Sequence, residues 1–316
     1  MRQRPSEGVR LTRRAGLLAV PALALAGRAR AQGTTPGQAV TVGSKLDTEG
    51  ALLGEMIAQR LEAEGVTVNR KLQLGPTRIV RQALLAGELD LYPEYTGNGA
   101  FFFQMESDPA WHDPAAAAEK VRALDLERNK LVWLRPAAAN NTWAIALRQD
   151  VAKQAGLTSL EGLAGHIAKG GAFKLAASAE FVESPAALPA FQKTYGFTLP
   201  PDRLLVLAGG DTAVTMRAAA EKLNGVNAAM VYGTDGAIQA LDLVVLTDPK
   251  GAQVVYQPAP VARAAVVEQL PKLRDWLDPL FASLSLEVLQ KLNARIVVDG
   301  EAPRAVAAAY VKDLPR

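Results

Sequence analysis

The sequence predicts an α/β protein, and two observations carry that expectation. Short β-rich runs alternate along the chain with amphipathic stretches at helical spacing. Hydrophobic residues make up 49% of the 316 residues and cysteine is absent, so the fold must be held by a core large enough to need no cross-links.

Residues 39–43 are the first expected strand. A helix over 48–64 follows, with Leu52, Leu53, Met56, Ile57 and Leu61 on one face and Gly65 as its stop. A strand over 66–74, a helix over 77–86 and a strand over 89–92 complete a βαβαβ pattern. A helix over 115–129 leads to β-rich runs at 130–134 and 143–147, separated by a loop at 136–142. The alternation then resumes: strand 174–177, helix 186–195, strand 204–207, helix 213–223, strand 226–232, a helix starting at Thr234, and strand 243–246. The chain runs back through 254–263 and ends in a helical region over 271–312. Periodicity by itself gives α/β; no internal repeat is present.

The first residues are an expected export address. Arg13-Arg14 precede an apolar run from Ala15 to Ala26, and Ala29-Arg30-Ala31 has the small-x-small form of a cleavage site. The run is far short of the roughly 20 residues needed to cross a bilayer, and its flanking arginines suit a twin-arginine signal better than a general secretory one. Residues 1–31 hold seven arginines and one glutamate, so the remainder carries 28 basic against 31 acidic residues, net −3, although the whole chain is +3. Such a surface offers no footprint for nucleic acid or anionic lipid. The lack of cysteine excludes a lipoprotein anchor, a thiol nucleophile and Cys-ligated metal.

Catalytic constellations are thin. His112 and His166 are the only histidines, they lack metal-ligand spacing, and His166 is expected in a Gly-rich loop. There is no nucleophile elbow and no phosphate-binding loop; Gly97-Asn98-Gly99 begins like a dinucleotide fingerprint, but Phe102 holds the third glycine position. No cofactor or metal is expected.

Binding chemistry is better supplied. Asp90, Tyr92, Glu94, Tyr95 and Thr96 crowd together in one short stretch. Aromatic faces with negative charge nearby are what recognises a quaternary ammonium, which cannot donate hydrogen bonds.

Further motifs recur in order: Gly43-Ser44-Lys45 with Thr48-Glu49, Leu74-Gly75-Pro76-Thr77 with Arg81, Tyr92-Pro93-Glu94-Tyr95-Thr96-Gly97, Asn140-Asn141-Thr142-Trp143, Ala179-Glu180-Phe181, Thr234-Asp235-Gly236 and Pro260-Val261-Ala262-Arg263. In order and spacing the chain resembles the substrate-binding proteins of ABC importers for glycine betaine, choline and related quaternary amines. The resemblance covers nearly the whole chain after the signal. It implies a two-lobe periplasmic-binding-protein clamshell of type II-like form with two crossing segments: lobe one from 32–142 and 257–316, lobe two from 143–256. It also implies a monomer in the periplasm that passes a small quaternary amine to an inner-membrane permease, and no enzymatic activity.

On that resemblance Tyr92, Tyr95, Trp143 and Tyr232 are the expected cage walls, with Phe181 in reserve. Three or four desolvated faces at about 1–2 kcal/mol each suffice for micromolar binding. Ser44, Lys45, Thr77, Asn141 and Thr234 are expected to serve a ligand's carboxylate or hydroxyl, and Asp90 or Glu94 to place charge near the ammonium; Asp235 is expected to favour a helix start. One departure is visible: Leu46-Asp47 follows Lys45, where the resembled family has Asn-Phe. The alternatives are the same scaffold serving another small cation or amine as a low-affinity or sensory receptor, and an exported hydrolase, for which no nucleophile and base can be assembled.

Overall fold

A computed structural model describes residues 39–207 and 212–314. The expected signal and its cleavage point lie outside the described residues. Among these, ten strands form two five-stranded sheets. The strands are β1 (Val40–Lys45), β2 (Val68–Gly75), β3 (Leu91–Tyr95), β4 (Leu131–Trp133), β5 (Trp143–Arg148), β6 (Leu175–Ser178), β7 (Leu204–Leu207), β8 (Ala228–Tyr232), β9 (Leu243–Val245) and β10 (Pro258–Arg263).

The first sheet has the order β2-β1-β3-β10-β4 and the second β7-β6-β8-β5-β9. The two orders are equivalent. In each, three parallel strands are followed by one antiparallel strand, β10 or β5, lying between two others. Both antiparallel strands are the first strand after the chain crosses between the sheets. This is a mixed α/β fold of two lobes, each with helices packed over its own sheet.

Sequence dictates the packing locally. Asp47 caps the helix Thr48–Ala63, accepting a hydrogen bond from the Gly50 amide at 2.7 Å. Leu52, Leu53, Met56, Ile57 and Leu61 of that helix are fully buried against β1 and the C-terminal helices, as a 3.6-residue period requires. Leu46 is left 62% exposed. The departure at Leu46-Asp47 therefore supplies a helix cap and no ring.

Several boundaries differ from expectation. The third strand runs over Leu91–Tyr95, later than expected, because Gly87 turns at φ 77° and Pro93 is accommodated opposite Pro260 of β10. His166 lies in the helix Leu160–Ala168, capped by Ser159, and not in a loop. The expected helix at Thr234 is displaced to Ala237–Ala240. Asp235 instead accepts the Tyr232 amide at 2.8 Å, a turn contact. Gly236 is pressed against the backbone of Asn293 and Ala294, where any Cβ would collide. The helical end resolves into Leu273–Ala282, Leu286–Val297 and Pro303–Lys312.

No helix among the described residues is long and apolar enough to cross a membrane. No cluster of metal-ligating side chains occurs among them.

Candidate functional site

The carboxyl ends of the parallel strands in both sheets face one cleft of about 1030 Å³, the position where open α/β sheets take ligands. From the first sheet come Lys45 at the end of β1 and Tyr95 at the end of β3; from the second come Trp143 at the start of β5 and Tyr232 at the end of β8. Trp143 and Tyr232 are cross-strand partners in register. Their rings stack at 6.4 Å between centroids with 23° between planes. They form one wall, not two opposed walls.

Of the residues expected from sequence, Lys45, Thr77, Tyr95, Asn141, Trp143, Tyr232 and Thr234 line this cleft. The other six lie off its wall. Phe181 is fully buried behind Trp143, edge-on at 6.0 Å and 88°, so it braces that ring. Tyr92 is fully buried in the core with Trp111 and Trp133, its hydroxyl donating to Glu94 Oε2 at 2.8 Å. Burial, reinforced by the Glu94 charge, raises its pKa well above the phenol range. Ser44 is also enclosed, accepting from the Gln73 amide at 2.9 Å. Asp90 precedes β3, away from the cleft, where it accepts the Thr41 amide at 2.7 Å and pairs with Arg263. Thr96 Oγ1 donates to Val255 O at 3.2 Å and ties down the returning chain. The expectation that Asp90 or Glu94 adds charge beside a ligand does not fit these positions, since Glu94 already faces the buried Lys45 and Asp90 the half-buried Arg263.

Lys45 and Glu94 form a buried ion pair. The Lys45 ammonium also sits 4.5 Å from the centroid of the Tyr95 ring, so one face of that ring already carries a cation.

Sequence reasoning missed several groups on the wall. Tyr256, on the returning segment, and Phe101, 57% exposed, add aromatic surface. Burial pushes the Tyr256 phenol up to about 12. Glu49, in the first turn of its helix, is a buried carboxylate that accepts from the Tyr95 hydroxyl at 2.7 Å, Asn293 Nδ2 at 2.7 Å and Asn141 Nδ2 at 3.2 Å. Its place after a strand end was a visible signal. Asn293 comes from the helix Leu286–Val297, far away in sequence, and nothing local announced it.

Burial raises the Glu49 pKa, outweighing the bonds from Thr234, Tyr95 and Asn293 that favour its charge. The Oδ1 atoms of Asn141 and Asn293 are buried without partners, and a protonated Glu49 could donate to either after an amide rotation. A raised folded pKa means the native state binds the proton more tightly, so this contribution is full below the ordinary carboxylate range and is lost as pH rises through the folded value. Glu49→Gln keeps the shape and removes the titration. Unfolding free energies measured across pH should therefore show wild type falling relative to Glu49→Gln as pH rises above the carboxylate range; parallel profiles would reject the assignment.

Two α/β lobes with an aromatic, carboxylate-bearing cleft at their strand ends define a solute-binding protein. More particularly, the chain belongs to the family described as the substrate binding domain of the ABC-type glycine betaine transport system, which matches residues 38–313. It is 59% identical over 273 residues to the glycine betaine-binding protein YehZ of Escherichia coli K12, covering 86% of this chain and 90% of that protein. It is 31% identical over 289 residues to a glycine-betaine-binding protein of Pseudomonas aeruginosa, covering 90% of each. The fold superimposes on a solved apo structure of E. coli YehZ with a TM-score of 0.83, over 87% of this chain and 98% of that one.

Proposed function

We propose that the protein is the extracytoplasmic receptor of an ABC importer, taking a quaternary ammonium solute into the cleft and presenting it to a membrane permease. The observation that carries this is the convergence of Tyr95, Trp143, Tyr232 and Tyr256 with several carboxylates in one cleft between the lobes. A trimethylammonium group sheds its water cheaply, and aromatic faces with nearby negative charge replace that water. Glycine betaine, which both similar proteins above are named for binding, and choline are the first candidates.

The protein acts as a monomer in the periplasm without catalytic turnover, its lobes meeting near residues 142–143 and 256–257. The family match and the two-sheet division support this reading. Export through the twin-arginine route rests on Arg13-Arg14.

Thermal denaturation of the full chain with glycine betaine and with choline tests the reading. A ligand that binds only the folded state at a hundredfold excess over Kd stabilises it by about 2.7 kcal/mol, which raises Tm by several degrees. No shift with millimolar quaternary amines, together with a saturable shift for a different solute, would reject it.

A further inference from the structure

The lobes are joined by more than the chain that crosses between them. Leu289 and Leu292 set the helix Leu286–Val297 into the core of the first lobe, while Ile238 sets residues 233–240 into the core of the second. Yet the two are bonded to each other. Gln290 Nε2 donates to Gly233 O at 2.7 Å, Gln239 Nε2 donates to Gln290 Oε1 at 3.1 Å, and Asn293 Nδ2 donates to Thr234 O at 2.9 Å. Gln290 and Asn293 stand three residues apart on one helix face, each only 5% exposed. Groups so shielded are costly to leave unpaired. Gly236 lies against the backbone of Asn293 and Ala294, so close that a Cβ has no room.

This contact continues the crossing point. The Gly233 amide donates to Thr142 O at 2.9 Å, and Gly233 packs against Asn140 O. Asn140 Oδ1 accepts from the Tyr256 amide at 2.8 Å, and Tyr256 O accepts from the Asn141 amide at 2.9 Å. A continuous line of contacts thus runs from Tyr256 through residues 140–142 and Gly233 to Gln290. A solute enters the cleft through water and is stripped of it on binding, so the lobes have to part and close. Rotation moves least what lies on its axis. The crossing segments can bend at their backbone dihedrals, whereas the close-packed Gly236 contact and the two amide anchors have no such slack.

We propose that Gln290 and Asn293 are positioning residues for solute capture: with Gly236 they hold the second lobe to the first along the hinge axis, and this contact persists while the lobes open and close. Tyr232 and Thr234, at the start of the anchored segment, are then in place before the solute arrives. Loosening the anchor would populate lobe arrangements that cannot bind, and apparent affinity falls with the fraction that remains competent. The binding readout, and it alone, rests on the quaternary-amine reading above.

Gly236→Ala drives a methyl group between the segment and the helix while keeping every hydrogen-bonding side chain. Calorimetry should show glycine betaine bound about tenfold more weakly, and X-ray scattering of the solute-free chain should give a larger radius of gyration than wild type. Gly165→Ala, where a Cβ meets nothing within 4 Å, should change neither. Should Gly236→Ala not fold, Gln239→Cys with Gln290→Cys decides, in a chain that has no other cysteine. Unbridged, that variant should bind weakly and scatter as an opened form; joined by a short dithiol-selective reagent, it should regain wild-type affinity and dimensions. Loss of binding on bridging overturns the proposal, because the contact would then have to break for the lobes to close. Unchanged scattering in Gly236→Ala, or in the unbridged double variant, overturns it whatever the affinity. If wild type binds neither glycine betaine nor choline, the quaternary-amine reading fails, and scattering of the same variants still decides the anchor.

Discussion

Replacing Asp125 by alanine should destabilise the protein by about 3–5 kcal/mol, the usual cost of breaking a buried ion pair from one side. Asp125 is fully buried and sits beneath Arg81, which is itself 6% exposed. The guanidinium grips both carboxylate oxygens, with Nη1 donating to Oδ2 at 2.8 Å. Trp133 Nε1 donates to the same carboxylate at 2.6 Å and Asn129 Nδ2 at 2.8 Å. Alanine leaves a buried cation and two further donors unsatisfied. Arg81 also lies 4.2 Å from the centroid of the Phe102 ring, so the charge cannot simply swing out without giving up that contact. Urea unfolding reads the loss. Replacing both partners, Arg81→Met with Asp125→Leu, should cost much less than the single change, because no charge is stranded; equal losses would show that shape, not charge, holds the site.

Trp143→Ala should weaken quaternary-amine binding by more than tenfold, since removing a desolvated aromatic face costs on the order of 1.5–2 kcal/mol of affinity. Stability should fall less than for a core tryptophan, because the ring is only half-buried and faces the cleft. Trp143→Tyr should retain most binding. Affinity and unfolding free energy measured on the same variants separate the roles; a large stability loss with unchanged affinity would remove Trp143 from the site. Tyr95 is a less clean probe. Its hydroxyl bonds Glu49 and its ring faces Lys45, so Tyr95→Ala should lower stability and affinity together.

The alternation of strand and helix was legible because hydrophobic period is a local property, and it located nearly every element of both sheets. Lys45, Tyr95, Trp143 and Tyr232 were legible through the motifs that carry the family resemblance, and they line the cleft because they stand at the strand termini that face it. Tyr92 and Phe181 misled because sequence cannot tell an aromatic in the cleft from one a single layer behind it. The pairing of Glu94 with Lys45 joins two strands 49 residues apart, and the meeting of Glu49 with Asn293 spans 244. Neither leaves a local trace. The continuation of β3 past Tyr92 to Tyr95 was missed because proline argues against a strand, and only β10, supplied from far along the chain, makes Pro93 acceptable there.

The place of β10 also constrains the order in which the protein can be made. The strand lies between β3 and β4 and hydrogen-bonds to both, yet it is synthesised after every strand of the other sheet. Until residue 258 has emerged, the first lobe is split into a three-stranded piece and an orphan β4, with open edges of the kind that recruit other chains. The second lobe has all its strands, β5 to β9, in one uninterrupted stretch. Folding during synthesis thus begins at the amino terminus but is completed there last, and a nascent chain stopped between residues 253 and 257 would carry one lobe with all its strands and core and one that cannot close.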